Sequence, residues 1–214
     1  MRRTKAEAEQ TRESILDAAV DVFFENGVSR STLEQIAVRA GVTRGAIYWH
    51  FKDKVEIFKA LQDSIRLPQE DLIVHAAEHG HEDPLTVVES GCLSALQLFE
   101  EDERQQRIMA ILSQRCEYVG EMAGFIARIG EANQQMLNHI RRLVQMASQN
   151  GSLRSEWQPE IAARALQCTM TGLIHEWLRN NREFSLTEVG GKLIGELMTC
   201  FRGRNRAENA SSPN

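Results

Sequence analysis

Helix-capping signals recur along the whole chain, and they restrict what it can fold into more than any other feature. A residue able to cap a helix stands three positions before a glutamate at Thr4–Glu7, Ser31–Glu34 and Asp53–Glu56. Proline follows a capping residue at Asp83-Pro84, and Pro159 opens a further helix. No segment alternates apolar and polar residues over a useful length, so no strand is predicted. The sequence therefore predicts an all-α protein of about nine helices.

Turn residues set the expected limits of these helices. Asn26-Gly27 is a helix stop, because glycine accepts the left-handed conformation that ends a helix. A linker helix is predicted over residues 53–67, where Pro68 interrupts it. The polar, histidine-rich stretch that ends at Gly80 is expected to be a loop.

Composition narrows the class of protein. The 214 residues are 42% hydrophobic and 26% charged, which is ordinary for a folded chain. The longest apolar runs, such as Ile108–Leu112, fall far below the roughly 20 residues of a membrane span. The basic start, Met1–Lys5, is not followed by the apolar segment of a secretion signal. Four cysteines, at positions 92, 116, 168 and 200, have neither metal-site nor disulfide spacing. We therefore expect a soluble cytoplasmic protein with no cofactor, no metal and no membrane partner.

The net charge of −5 is unevenly distributed. Residues 1–60 contain ten Lys and Arg against nine Asp and Glu, whereas the rest of the chain contains 15 against 21. Between Ser29 and Lys59 the basic residues outnumber the acidic ones by six to three. A polyanion-binding module on an acidic body would show this distribution, but so would an N-terminal segment that is simply near neutral.

The segment Ser31–Lys54 has the spacing of a DNA-binding helix-turn-helix. Two predicted helices of about seven residues are separated by Ala40-Gly41-Val42, and Gly41 can adopt the positive φ angle that such a turn needs. Many short helix pairs share this spacing, so the polar chemistry of the second helix is the stronger indication.

The second helix carries groups suited to DNA. Thr43 can bond to a base or a phosphate, and Arg44 can form two hydrogen bonds with guanine or hold a phosphate. Gly45 costs about 1 kcal/mol of helix stability relative to alanine, which is acceptable where the backbone must approach DNA closely. Tyr48 and His50 can bond to phosphate oxygens at the other end of the helix.

The aromatic run at the end of this helix also admits a core interpretation. Ile47 and Phe51, four residues apart, are predicted to be core. Lys52 and Lys54 lie beside the next helix start, where ammonium groups and unbonded N–H groups attract phosphate. The predicted DNA contacts are Arg2, Arg3, Thr32, Thr43, Arg44, Gly45, Tyr48, Trp49, His50, Lys52 and Lys54.

The stretch Ala40–Lys54, AGVTRGAIYWHFKDK, resembles the recognition region of the TetR family of bacterial repressors. It is especially similar to the AcrR-like branch, which controls multidrug efflux pumps. Further similar positions are Thr11-Arg12, Phe23, Gly27, Thr32-Leu33, Ile36-Ala37, Arg115–Met122, Gly172–Ile174 and Trp177-Leu178. The resemblance implies an all-helical homodimer whose C-terminal domain binds an inducer and releases operator DNA.

The two C-terminal helices are the candidates for dimerisation. One short recognition helix reads only a few base pairs, so selectivity requires two copies on a two-fold site. The penultimate helix is apolar on more than one face, and two glycines one turn apart in the last helix would allow close approach. The predicted interface is Ile161, Leu166, Leu173, Trp177, Gly191, Gly195 and Met198. Alternatively, both helices pack only within one subunit.

A ligand pocket would be lined by inward-facing residues that are apolar, soft or weakly polar. Methionine suits a promiscuous site because it adapts to ligands of different shape. The polar candidates are the most informative, because a buried polar group needs a partner that a ligand can supply. The predicted set is Ile65, Cys92, Leu96, Met109, Ser113, Cys116, Asn133, Met136, Ile140, Gln167, Met170, Thr171 and Ile174. Taken singly, each of these residues is also explained as ordinary core.

Two other kinds of site have weaker support. A divalent metal could be bound by a cluster that comprises His75, Glu78, His79, His81 and Glu82. Catalysis would need a nucleophile beside a base, for which the chain offers Cys116 with Glu117, or Cys168 near His175. We do not predict an enzyme.

We expect DNA binding over residues 1–52, ligand binding and dimerisation over 53–201, and a disordered tail over 202–214. The expected function is that of a homodimeric repressor that binds a palindromic operator and is released by a hydrophobic inducer. Its expected target is a multidrug efflux operon, and the alternative is another operon that answers a metabolite or lipid-like signal. A metal-responsive helical protein is a more distant alternative.

Overall fold

The computed structural model describes residues 4–65 and 69–202, and the regular secondary structure of these residues is helical apart from one isolated bridge between Leu153 and Arg202. The all-α prediction is confirmed. The α-helices are α1 (Lys5–Asn26), α2 (Leu33–Arg39), α3 (Arg44–His50), α4 (Lys54–Asp63), α5 (Gln69–His79), α6 (Pro84–Glu101), α7 (Glu103–Gln114), α8 (Ala123–Gln149), α9 (Pro159–Arg179) and α10 (Leu186–Phe201). A 3-10 turn, Gly120–Met122, precedes α8.

Helix α5 was not predicted. The histidine-rich stretch was expected to be a loop, but Gln69–His79 is helical and ends at Gly80. Its buried residues Ile73, Ala76 and Ala77 are spaced three and four apart, which places them on one helix face. The apolar face is narrow and made largely of alanine, so the polar composition of the segment concealed it.

The cap of α2 lies one residue later than predicted. Thr32 and Gln35 form the capping box: Thr32 Oγ1 accepts from Gln35 N at 3.2 Å, and Gln35 Oε1 accepts from Thr32 N at 2.9 Å. Ser31 is instead buried, and its hydroxyl donates to Gly27 O at 2.7 Å. Both Ser31–Glu34 and Thr32–Gln35 fit the capping pattern, and burial of Ser31 in the turn after α1 selects the second.

The caps of α1 and α4 lie where they were predicted. Thr4 and Glu7 form a capping box at the start of α1. Asp53 Oδ1 accepts from Glu56 N at 2.9 Å at the start of α4. That helix ends at Asp63, earlier than the predicted linker helix, and residues 66–68 lie outside the described residues.

The chain divides into two compact units that differ from the predicted domains. One unit comprises Met1–Arg66 and Asp102–Ile129, and the other comprises Leu67–Glu101 and Gly130–Asn214. Helix α7 and the first residues of α8 therefore belong to the unit that contains α1–α4. The physical reason is a shared core, because Ile108 of α7 is buried in the same apolar cluster as Ile15 of α1.

Ion pairs line the same packing surface in the first unit. Arg104 Nε of α7 lies 2.7 Å from Asp17 Oδ1, and Arg107 Nη1 lies 2.7 Å from Asp21 Oδ1, both on α1. Asp21 Oδ2 also lies 3.4 Å from Arg39 Nη1 of α2, so one carboxylate faces arginines from two helices. Aromatic packing extends this core, with the rings of Phe58 and Phe125 4.9 Å apart.

The second unit contains α5, α6, α9, α10 and most of α8. Arg202, predicted to begin a disordered tail, is held in this unit by a 2.6 Å ion pair with Glu89. Arg154 Nε donates to Arg202 O at 2.8 Å, which accounts for the ordered backbone there. Residues 203–214 lie outside the described residues, so the tail beyond Arg202 stays a prediction.

Gly27 provides a test of the helix stop after α1. Its φ angle is +78°, and a Cβ there would lie 3.5 Å from Arg115 O, an ordinary contact. The ψ angle is 156°, a combination that is almost confined to glycine, so we expect Gly27→Ala to lower the free energy of unfolding by about 1–3 kcal/mol through backbone strain alone. Urea denaturation monitored by circular dichroism measures this change in the free energy of unfolding.

Gly130→Ala is the matched control, because Gly130 is helical and no atom lies within 4 Å of its added Cβ. It should be neutral or stabilising by up to about 1 kcal/mol. Equal midpoints for the two variants would contradict the positive φ angle of Gly27.

Candidate nucleic-acid interface

Helix α3 is fixed by two apolar residues on one side. Ile47 and Phe51 are buried in the core of the first unit, as predicted. The turn before the helix contains Gly41 at φ +65°, also as predicted, and Val42 N donates to Ala37 O at 3.0 Å. Thr43 caps α3, since its Oγ1 accepts from Ala46 N at 3.2 Å. These contacts determine which side chains of α3 face outward.

The N-terminal end of α3 presents Arg44 and Gly45 to solvent. The Arg44 side chain is 74% exposed, and its Nη2 lies 3.5 Å from Glu34 Oε1 of α2. Its guanidinium carbon lies 5.6 Å from the centre of the Tyr48 ring. A Cβ at Gly45 would have no neighbour within 4 Å, so another surface could approach the backbone there.

The C-terminal end of α3 presents an aromatic surface. Trp49 is 73% exposed and Tyr48 is 46% exposed, which is unusual for large rings in a folded protein. His50 is half-buried and packs edge-on against Trp49, with ring centres 4.5 Å apart. Burial therefore increases towards the end of the run, from the exposed Tyr48 and Trp49 through His50 to the buried Phe51.

The two predicted lysines have different environments. Lys52 is exposed, in keeping with its predicted role, whereas Lys54 Nζ donates to Ser29 O at 3.0 Å and to Val28 O at 3.3 Å. Lys54 thus ties the start of α4 to the turn after α1. Thr32 is exposed at the start of α2, and Arg2 and Arg3 lie outside the described residues.

Two residues near this surface were not predicted from the sequence. Glu34 contacts Arg44 from the neighbouring helix, and Val38 is 82% exposed on α2. Glu34 and Arg44 are ten residues apart and follow no helical spacing, so only the packing of α2 against α3 brings them together. Arg39, a further basic residue of α2, pairs with Glu25 at 2.7 Å, and this hydrogen bond lowers the pKa of Glu25.

Comparison with known proteins identifies the family of this helix-turn-helix. Residues 15–61 match the model described as "Bacterial regulatory proteins, tetR family". Residues 83–202 match "MAATS-type transcriptional repressor, C-terminal region". The chain belongs to the TetR family. The resemblance inferred from Ala40–Lys54 is thereby confirmed.

Several TetR-family relatives are similar over nearly the whole chain. The chain is 46% identical over 202 residues to the HTH-type transcriptional repressor BepR of Brucella suis biovar 1 (strain 1330), covering 94% of this chain and 97% of that protein. The crystal structure of NalD, the secondary repressor of the MexAB-OprM multidrug efflux pump in Pseudomonas aeruginosa, is 36% identical with a TM-score of 0.80. That match covers 92% of this chain and 98% of NalD.

A third relative was solved with a small molecule bound. The SmeT–triclosan complex is 30% identical to this chain, with a TM-score of 0.78, and the match covers 92% of this chain and 93% of SmeT. SmeT is the repressor of the Stenotrophomonas maltophilia multidrug efflux pump SmeDEF.

The predicted ligand-pocket residues of the first unit are less buried than expected. Ile65, Met109 and Cys116 are half-buried, and Ser113 is exposed. The Ser113 hydroxyl donates to Met109 O at 2.8 Å, so it satisfies its hydrogen bond on its own helix. The prediction that Ser113 faces an interior is wrong for this reason.

In the second unit the predicted set is divided between core and surface. The buried members are Cys92, Leu96 and Ile140; the half-buried members are Met136, Gln167, Met170 and Ile174; the exposed members are Asn133 and Thr171. Asn133 and Thr171 were expected to face inward, but both are exposed and neither belongs to the core. Gln167 Nε2 donates to Asn133 O at 3.0 Å, which joins α9 to α8.

The structure gives little support to the alternative metal-binding and catalytic sites. The rings of His75 and His79 stack with centres 4.4 Å apart, but within residues 4–65 and 69–202 no three His, Cys, Asp or Glu side chains form a metal-binding group. Burial raises the pKa of the Cys92 thiol to about 12, and burial followed by the Glu117 charge raises that of Cys116. Both thiols are therefore protonated at neutral pH, and thus weak nucleophiles. No helix in the described part of the chain could cross a membrane.

The predicted dimer residues fall into a buried group and an exposed group. Leu166, Leu173, Trp177 and Met198 are buried within the second unit, so for these four the alternative of packing inside one subunit is correct. Ile161 is exposed, as a subunit contact must be before assembly.

Gly190, and not the predicted Gly191 or Gly195, is the glycine of α10 that packs closely within this unit. A Cβ at Gly190 would clash with the Leu96 side chain, so Gly190 permits the close approach of α10 to α6. Gly191 has only Leu93 near its Cβ position, at 3.9 Å, and Gly195 has no atom within 4 Å. Gly191 and Gly195 are therefore not needed for packing within this unit.

Gly45 provides a test of the interface. Gly45→Ala should raise the free energy of unfolding by up to about 1 kcal/mol, because alanine favours helix and the site has room. The same methyl group would obstruct DNA, so binding to a duplex recovered by in vitro selection from a random pool should weaken about tenfold or more, the effect of losing one base contact. Thermal melting and fluorescence anisotropy give the two readouts.

Gly130→Ala, the same change in the interior of α8, should leave the affinity for DNA unaltered. A stabilised Gly45→Ala protein with wild-type affinity would show that the backbone of α3 does not approach the duplex.

Proposed function

We propose that this TetR-family protein is a homodimeric transcriptional repressor of a multidrug efflux operon. It binds a palindromic operator in the cytoplasm and is released when a hydrophobic compound binds its C-terminal domain. The observation that carries the proposal is the exposure of Arg44, Tyr48 and Trp49 on a helix whose opposite side is buried. The names of BepR, NalD and SmeT support the repressor activity, and those of NalD and SmeT support the class of operon.

The exposed groups on α3 suit a major groove. A recognition helix enters the groove with its N-terminal residues at the base edges, and here that end carries Thr43, Arg44 and Gly45. The aromatic rings at the other end, with Lys52 beyond them, suit the sugar-phosphate backbone. The rest of the chain is acidic and repels phosphate, so binding is confined to this surface.

The exposed apolar residues of α9 and α10 support dimerisation. Ile161 of α9 and Val189 and Leu193 of α10 remain exposed within the single chain. Gly191 and Gly195 lie on the same helix as Val189 and Leu193 and leave room beside them. A second copy would cover these residues and place two recognition helices on one operator.

Leu193→Glu tests the interface. A buried, unpaired carboxylate in each subunit is costly, so the variant should sediment as a monomer and lose operator binding. Val119→Glu introduces the same carboxylate at an exposed apolar residue of the first unit, and this variant should remain dimeric. A dimeric Leu193→Glu protein would place the interface elsewhere; analytical ultracentrifugation decides this.

The salt dependence of binding tests the DNA contacts. If each subunit makes four or five phosphate contacts, the logarithm of the association constant should fall with the logarithm of salt concentration with a slope of about −7 to −9 for the dimer. The selected duplex is titrated by fluorescence anisotropy from low to physiological salt. A slope near zero would contradict operator binding.

Inducer release is tested with triclosan, the compound in the SmeT complex. A ligand that binds the free protein better than the operator-bound protein shifts the population away from DNA. We expect triclosan to raise the apparent Kd for the selected duplex and operator DNA to weaken triclosan binding by the same factor. Release by a long-chain acyl-CoA but not by triclosan would favour the alternative regulator of lipid-related genes.

A further inference from the structure

Arg44 is supported from two sides. The Glu34 carboxylate of α2 lies 3.5 Å from its Nη2, and the Tyr48 ring of α3 lies beneath its guanidinium at 5.6 Å. An arginine at an exposed helix end otherwise has many rotamers, and ordering one of them costs conformational entropy. The two contacts therefore favour one orientation of Arg44 before any DNA is present.

The supported orientation leaves Arg44 able to read a base. A guanidinium has five N–H donors in a planar fork, and the ion pair with Glu34 is made through the terminal nitrogen Nη2 at 3.5 Å. Two donors are enough for the paired hydrogen bonds to O6 and N7 of guanine. Glu34 can therefore remain in place while Arg44 contacts guanine.

A contact between Arg44 and phosphate has a different consequence. If Arg44 turned away to a phosphate, Glu34 would lose its partner and its carboxylate would face the negative backbone. The nearby basic side chain of α2 offers no substitute, because Arg39 is paired with Glu25 and Asp21. The Glu34 carboxylate thus favours the complex in which Arg44 binds guanine over the complex in which Arg44 binds phosphate.

We propose that Glu34 is a positioning residue that sets base preference. It holds the Arg44 side chain in an orientation that can contact guanine, and it disfavours contact between Arg44 and phosphate. This inference rests on the proposed DNA-binding function. It assigns a role in recognition to an acidic residue outside the recognition helix, on a surface where positive charge would be expected.

The experiment is in vitro selection from a random-sequence duplex pool with the full-length wild type, Arg44→Ala and Glu34→Gln. Arg44→Ala should abolish the preference for guanine at one position of each half-site. Glu34→Gln should relax the same position and leave the others unchanged. Glu34→Asp, which keeps the charge, should retain part of the preference.

Affinities on the selected duplex and on a scrambled duplex give a second readout. Glu34→Gln should bind the scrambled duplex about 1.5- to 5-fold more tightly per subunit, the scale of one exposed ion pair, without the same gain on the selected duplex. The change in guanine preference should vanish in the Arg44→Ala background, because it acts through Arg44. Glu131→Gln, the same change on an exposed residue of α8, should leave both affinities unaltered.

The outcomes are distinct. A full guanine preference in Glu34→Gln overturns the inference, as does relaxation at a different position, which would mean that Glu34 contacts a base itself. An unchanged profile in Arg44→Ala overturns it while leaving the repressor proposal standing. A wild type that enriches no sequence defeats the proposed function, and the inference with it.

Discussion

Burial of Ile47 and Phe51 is the constraint on which the rest of the interface depends. These two residues fix the rotation of α3, and a helix anchored on one side must expose the other. The seven residues of α3 are too few to form a stable helix alone, so their conformation comes from this packing and from the Thr43 cap. The exposure of Arg44 and Trp49 is thus a consequence of the core and not a separate property of the surface.

The presence of α7 in the first unit has a consequence for regulation. Helix α7 was expected in the ligand-binding domain, but it shares a core with α1 and pairs Arg104 and Arg107 with carboxylates of α1. Exposed ion pairs contribute little stability each, so the apolar contacts hold the unit together and the ion pairs set its register. A compound that displaced α7 would therefore act within the unit that carries α3.

How much could be predicted from the sequence depended on whether the relevant contact was local. The caps at Thr4 and Asp53 and the positive φ of Gly41 were predicted, because each involves only neighbouring residues. The choice of Thr32 over Ser31 as a cap was not, because it depends on burial against α1. Gly190 was missed for the same reason: its neighbour, Leu96, lies on another helix.

The sequence by itself determined the helical class, the helix-turn-helix and the family, because caps, turns and the Ala40–Lys54 motif act over a few residues. Only the tertiary structure decided that α7 joins the DNA-binding unit, that Leu166 and Met198 serve the core of one subunit, and that Glu34 meets Arg44. These relations depend on which helix faces are buried against each other, and no spacing along the chain encodes a contact between side chains on different helices.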